Sequence, residues 1–241
     1  MIANPPYWLC TTPRSGSSAL GDALARTGVA GRPTEYFNHR FQPQLFGRFG
    51  VATVADLLEA VVRGTATPNG VFGVKVMLDD DMRPFFAGLR EVYGARSDAE
   101  LVRAAFPDLR FVYLTRRDKV RQAVSFVRAQ RTGVWARYSG AAKPETPPLE
   151  FDFAALDRTV HDLALREARW QDLFSALAVL PFTVVYEDYV RAPEAAVRGI
   201  LDFLELEPPP GWSLPVLPME KLADEASDAW VKRYHEAASH Y

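Results

Sequence analysis

One cysteine, Cys10, stands in 241 residues, so no internal disulfide can form and no cysteine pair is at hand to ligate a metal. A reducing cytoplasm is the expected compartment, and no metal is expected. No stretch approaches the roughly 20 apolar residues that span a bilayer, and Met1-Ile2-Ala3-Asn4-Pro5-Pro6 lacks the basic and apolar regions of a secretion signal. Neither sign of charge is in excess: 28 Lys+Arg face 30 Asp+Glu, a formal net charge of −2. That balance argues against a surface dedicated to nucleic-acid phosphates and leaves room for a local basic site. Internal repeats and low-complexity tracts are also missing. With 48% hydrophobic and 24% charged residues there is material for a sizeable core, and the length suits a single domain over residues 1–241.

Four short runs rich in β-branched and aromatic residues read as buried strands: Tyr7 to Thr11, Val71 to Met77, Phe111 to Thr115 and Phe182 to Tyr186. Helical spacing of apolar residues marks Ser18 to Thr27, Val54 to Val62, Ala99 to Ala105, Lys119 to Gln130, Leu156 to Ala178 and Pro193 to Leu204. Strands separated by helices predict an α/β fold of three layers, a central parallel sheet flanked by helices. Pro144 to Pro148 and Pro208 to Gly211 read as stiffened loops, and Met219 to Tyr241 as a docking C-terminal helix.

The sharpest local signal is Leu9-Cys10-Thr11-Thr12-Pro13-Arg14-Ser15-Gly16-Ser17-Ser18, a strand, a turn of small residues and a helix start. Gly16 lets the backbone approach an anion, the first N–H groups of the helix point into the turn, and the helix dipole favours negative charge there. Arg14 adds a fixed cation, and Ser15, Ser17 and Ser18 add hydroxyl donors. The same residues also suit an ordinary N-cap. This is not a Walker A loop, because both the glycine spacing and the lysine beside the hydroxyl are missing, which disfavours magnesium-dependent nucleotide hydrolysis.

A second cationic element follows the third strand. Arg116-Arg117-Asp118-Lys119-Val120-Arg121 sits at a strand's C-terminal end, where α/β sheets bind ligands, and Ser125 follows Arg117 by eight residues. Alone, it reads equally well as a solvated basic helix face. Two anion sites at neighbouring strand ends suit a nucleotide with phosphates on both sides of its nucleoside.

The two elements together, Thr12-Pro13-Arg14-Ser15-Gly16-Ser17-Ser18 and Tyr113-Leu114-Thr115-Arg116-Arg117-Asp118 through Ser125, resemble those of sulfotransferases that use 3'-phosphoadenosine-5'-phosphosulfate. More narrowly the chain resembles the bacterial trehalose 2-sulfotransferase family, in Pro33-Thr34-Glu35-Tyr36-Phe37, Phe72-Gly73-Val74-Lys75-Val76-Met77, Arg131-Thr132-Gly133-Val134-Trp135, Tyr186-Glu187-Asp188-Tyr189 and Trp230-Val231-Lys232-Arg233-Tyr234. The resemblance implies a P-loop-like domain in which Arg14, Ser15, Gly16, Ser17 and Ser18 hold the 5'-phosphosulfate and Arg117 with Ser125 holds the 3'-phosphate. It further implies a small-molecule hydroxyl acceptor, such as trehalose or another glycoside or a glycolipid, and a homodimer.

By the same resemblance Glu35 is the leading general base, with His39, four residues on, as the other candidate, since imidazole commonly accepts protons near neutral pH. Arg14 is the cation expected to stabilise charge on the leaving nucleotide. Lys75 interrupts an apolar strand pattern and must reach the ligand edge of the sheet or find a carboxylate. Tyr36, Phe37 and Trp135 fit an apolar wall, although buried aromatics usually belong to the core. Glu187 and Asp188 read as orienting groups. A small-molecule kinase using ATP and a non-catalytic nucleotide-binding module remain open as alternatives on the residues alone.

Overall fold

A computed structural model describes residues 5–140, 142, 149–220 and 222–239. Along the chain the elements are β1 (Tyr7–Thr11), α1 (Ser17–Ala25), α2 (Gln42–Phe49), α3 (Val54–Thr65), β2 (Gly73–Met77), α4 (Arg83–Tyr93), α5 (Asp98–Ala105), β3 (Arg110–Thr115), α6 (Lys119–Thr132), α7 (Phe153–Leu177), β4 (Phe182–Val185), α8 (Tyr186–Tyr189), α9 (Pro193–Leu204) and α10 (Glu225–Ala238). Short 3₁₀ turns cover His39–Phe41 and Asp80–Met82. The four strands form one parallel sheet in the order β2-β1-β3-β4.

Every residue of β1 is buried, as a central parallel strand covered on both faces requires. Alternation then divides its side chains between two cores. Tyr7 and Leu9 pack with Val112, Leu114 and Val184 against Leu20, Leu24, Val197 and Ile200 of α1 and α9. Trp8 and Cys10 pack with Val74, Val76, Phe111 and Tyr113 against Leu57, Phe85, Leu101 and Trp170 of α3, α4, α5 and α7. Helices thus cover both faces, and the three-layer α/β fold expected from the sequence is the fold observed. Cys10 is fully buried, and burial pushes its thiol up well above the ordinary value, so it stays protonated.

Several boundaries differ from the pattern in sequence. Val71 and Phe72 are buried but precede β2, and Tyr186 leaves the sheet to open α8. Asp152 caps α7 by accepting from the Ala155 N–H at 2.9 Å, starting that helix three residues before Leu156. The C-terminal helix is shorter than Met219 to Tyr241, because Asp224 caps it, while Met219 forms an antiparallel bridge with Tyr138. The Pro144 to Pro148 loop lies outside the described residues.

α10 is fastened across α6 and α7. Trp230 and Tyr234 join Val124, Val127, Leu156 and Leu163 in a third core, Arg128 pairs with Asp224, Arg121 pairs with Asp228, and the Tyr234 hydroxyl donates to Asp157 at 2.8 Å. The Arg128 guanidinium holds the Asp224 carboxyl well below the usual carboxylate range. Among the described residues no helix is long and apolar enough to cross a membrane.

β1 and β3 are neighbours; α1, after β1, packs in one core, while α6, after β3, packs on α7, whose Trp170 and Phe174 belong to the other. The C-terminal ends of the two strands border a crevice. On one side of it α7 is tied to the end of β1 by a hydrogen bond from the Trp170 indole to the Thr11 carbonyl, 2.9 Å.

Candidate functional site

The loop from Thr12 to Gly16 rises at this crevice. Gly16 takes φ +88°, and no side chain caps α1, so the first N–H groups of the helix face the cleft free of a capping side chain. A Cβ at Gly16 would lie 2.6 Å from the Tyr186 ring, and that ring cannot simply retreat because the Arg116 guanidinium stacks over it at 4.5 Å. Gly16→Ala is therefore expected to destabilise the protein by about 1–3 kcal/mol through the combined φ strain and overlap, read as a lower urea midpoint with unchanged slope.

The loop is braced from below. Gln122 of α6 donates to the Thr12 hydroxyl at 2.9 Å and to the Pro13 carbonyl at 2.6 Å, and the Ser15 hydroxyl is bonded to that of Thr11 beneath the loop. The Ser15 side chain thus supports the loop from inside, whereas Arg14, Gly16, Ser17 and Ser18 line the cleft. Arg14 also has positive φ, 62°, and its guanidinium donates to the Ser125 hydroxyl at 3.0 Å and to the Trp135 carbonyl at 2.5 Å. The structure therefore brings Arg14 and Ser125 together, although they are 111 residues apart.

The two arginines after β3 diverge. Arg116, the one sequence reasoning passed over, is 7% exposed, lines the cleft, and donates to the Arg14 carbonyl at 3.0 Å. Its Nε is buried without a hydrogen-bond partner among the described residues, and the Glu187 carboxylate is 3.9 Å away. Burial holds both Arg14 and Arg116 below the ordinary arginine value, with mutual repulsion adding to it for Arg14. Arg117, the expected partner of Ser125, instead turns both terminal nitrogens to Asp188 and does not line the cleft. Both lie just past the end of β3 at Thr115, in the short connection to α6. Glu187 orients this junction by accepting from the backbone N–H groups of Arg117 and Asp118 at 3.1 and 3.2 Å.

Glu35 and Lys75 occupy the other side of the loop. The Lys75 ammonium, on β2, lies 3.0 Å from Glu35 Oε1 and donates to the Ser18 hydroxyl at 3.1 Å. The second Glu35 oxygen accepts from the Asn38 amide at 3.0 Å. Of the two outcomes its place in an apolar strand allowed, Lys75 finds a carboxylate, and its ammonium also meets the hydroxyl of Ser18, a residue that lines the cleft. His39 is exposed at the start of its 3₁₀ turn and does not line the cleft. Tyr36 and Phe37 belong to the core, with Phe37 stacked on Phe85 at 4.3 Å, while Trp135 is 45% exposed on the cleft wall.

The cleft has a volume of about 1670 Å³ and reaches from the Arg14 to Ser18 loop to the polar face of α7 and the segment leading into α10. Glu35 is among the residues that line it.

The family described as "Stf0 sulphotransferase" matches residues 6–237. The chain is 30% identical to the trehalose 2-sulfotransferase of Mycobacterium tuberculosis (strain ATCC 35801 / TMC 107 / Erdman) over 97% of its own length and 95% of that protein's. It is also 30% identical to the trehalose 2-sulfotransferase of Mycolicibacterium smegmatis, over 96% of this chain and 95% of that one. A solved sulfotransferase from Alicyclobacillus acidocaldarius shares the fold, with a TM-score of 0.51 at 15% identity, covering 97% of this chain and 92% of that one. On the family match and on this identity over nearly its whole length, the chain belongs to the Stf0 sulphotransferase family and is a sulfotransferase.

Proposed function

We propose that residues 1–241 act as one sulfotransferase domain that transfers a sulfuryl group from 3'-phosphoadenosine-5'-phosphosulfate to a hydroxyl of a small-molecule acceptor, trehalose or another glycoside, with Glu35 as general base. The observation that carries the donor is the half-buried Arg14 and the buried Arg116 lining one cleft beside an uncapped helix N-terminus, with the Nε of Arg116 making no hydrogen bond among the described residues. The fit is chemical: free N–H groups, two fixed cations and the Ser17, Ser18 and Ser125 hydroxyls form a donor set suited to phosphate and sulfate oxygens. The α1 N-terminus with Arg14 would hold the 5'-phosphosulfate, and Ser125 with Arg116, in place of Arg117, the 3'-phosphate.

When bound, the donor supplies an activated sulfur whose bond to the nucleotide phosphate oxygen breaks as the acceptor oxygen bonds to it. Glu35 takes the hydroxyl proton, Lys75, which also donates to the Ser18 hydroxyl, holds that carboxylate in place through their ion pair, and Arg14 balances the charge left on the nucleotide. The reading draws further support from the two trehalose 2-sulfotransferases to which the chain is similar.

Thermal unfolding tests the donor site. 3'-Phosphoadenosine-5'-phosphate at about 100 times its dissociation constant should stabilise the fold by roughly 2.7 kcal/mol, an upward shift of several degrees. Adenosine-5'-phosphosulfate, lacking the 3'-phosphate, should give less. Stabilisation by ATP with magnesium alone would move the assignment to a kinase.

A further inference from the structure

Across the cleft from the arginines, α7 presents Arg158, Asp162 and Arg166, spaced four residues apart and hence stacked along one helix face. Arg166 is the centre of a fixed network. Its Nη1 donates to Asp79 Oδ2 and its Nε to Asp162 Oδ2, each at 2.7 Å. Asp79 is itself oriented by the backbone, its Oδ1 accepting from the Asp81 N–H at 3.1 Å. This assembly lines the same cleft as Glu35, and its turn is joined to the Glu35 loop: Asn38, which donates to Glu35, lies two residues before Arg40, and Arg40 pairs with Asp81 at 2.7 Å.

The network is not saturated. Arg166 Nη2 has no hydrogen bond among the described residues, and the carboxylates of Asp79 and Asp162, both cleft-lining residues, keep acceptor capacity beyond the bonds they make. A rigid alternation of carboxylate acceptors and a guanidinium donor matches neighbouring hydroxyls, each of which donates once and accepts elsewhere. A monohydric alcohol would leave most of it unanswered, and desolvating charged groups without new partners is costly.

We propose that Asp79, Arg166 and Asp162 form the acceptor subsite, and that it takes a polyhydroxylated molecule by at least two adjacent hydroxyls while a third hydroxyl lies at Glu35. This inference rests on the sulfotransferase reading of the same cleft and adds which residues select the acceptor and what chemistry they require. The subsite is distinct from the donor cradle, so its loss should leave nucleotide binding intact.

The test measures sulfate transfer from 3'-phosphoadenosine-5'-phosphosulfate to trehalose, methyl α-glucoside, cyclohexanol and phenol, beside thermal stabilisation by 3'-phosphoadenosine-5'-phosphate. The sugars should be sulfated with kcat/KM at least about tenfold above the monohydric acceptors, and Asp79→Asn should raise the sugar KM about tenfold or more with kcat and nucleotide stabilisation little changed. Asp162→Asn, at a half-exposed position, should act in the same direction and keeps the test open should Asp79→Asn fold poorly. Transfer to phenol or cyclohexanol equal to or above that to the sugars overturns the subsite, as does an unchanged sugar KM in both variants. Nucleotide stabilisation with no sugar sulfated also overturns it while sparing the donor reading; loss of nucleotide stabilisation in the wild-type chain defeats the donor reading instead.

Discussion

Glu35→Gln is expected to lower sulfuryl transfer by about 10²–10⁴-fold, the range a positioned general base contributes, while leaving stabilisation by 3'-phosphoadenosine-5'-phosphate nearly unchanged. The geometry explains why the two readouts should separate. Glu35 faces the cradle only through Lys75 and the Ser18 hydroxyl, and no part of it bonds to Arg14, Arg116 or Ser125. Glutamine keeps the shape and the hydrogen bond from Lys75 but cannot take up a proton. The substitution does remove the partner of an ammonium whose side chain is only 9% exposed, and breaking a buried pair costs about 3–5 kcal/mol in general. The Ser18 hydroxyl and the carbonyl of the new amide would still accept from Lys75, so the loss should fall below that range. Turnover is therefore compared at a temperature where nucleotide stabilisation shows both proteins folded. Equal turnover in the two would remove Glu35 from the reaction. His39 is then tested by His39→Ala, for which the expected change is small, because His39 is exposed and outside the cleft.

The fold was legible where local signals and burial agree. β1 and β3 are buried on both faces, so their sequences are unbroken apolar runs, and the helices α3, α5, α6, α7 and α9 carry apolar stripes at a period of 3.6. α2 and α4 escaped notice because proline and glycine interrupt their patterns. Pro43 and Pro84 sit in the first turn, where a missing N–H costs nothing, and Gly88 lies where a Cβ would come within 2.4 Å of the Val54 side chain on α3. Read as N-terminal prolines, with Phe85, Phe86 and Leu89 at helical spacing, these residues do announce α4. In the site, the Thr12 to Gly16 loop, proposed as the anion cradle, stands out in sequence because its residues are local, whereas the supports that hold it come from far along the chain. Gln122 beneath Thr12, Trp170 on the Thr11 carbonyl and Arg166 on Asp79 each join residues at least 87 positions apart, and no pattern within one segment encodes them.

Arg116 and Arg117 are told apart in the same way, by distant partners: Arg116 donates to the Arg14 carbonyl and lies over the Tyr186 ring, and Arg117 pairs with Asp188. This difference gives an unequal expectation for two adjacent substitutions. Arg116→Met should weaken binding of 3'-phosphoadenosine-5'-phosphate by about 10–150-fold, the loss of one charge-assisted contact of roughly 1.5–3 kcal/mol, and should erase most of the preference over the nucleotide lacking the 3'-phosphate. Methionine keeps an apolar stem against Tyr186, so the packing beneath Gly16 survives. Arg117→Ala should change that affinity less than about threefold, because its guanidinium is exposed and engaged by Asp188 outside the cleft. Exposed pairs of this kind are worth roughly 0–1 kcal/mol, so stability should move little as well. Isothermal titration of both variants with both nucleotides decides the matter. A large loss with Arg117→Ala and none with Arg116→Met would mean that Arg117 abandons Asp188 for the nucleotide, and that the junction held by Glu187 rearranges when the donor binds.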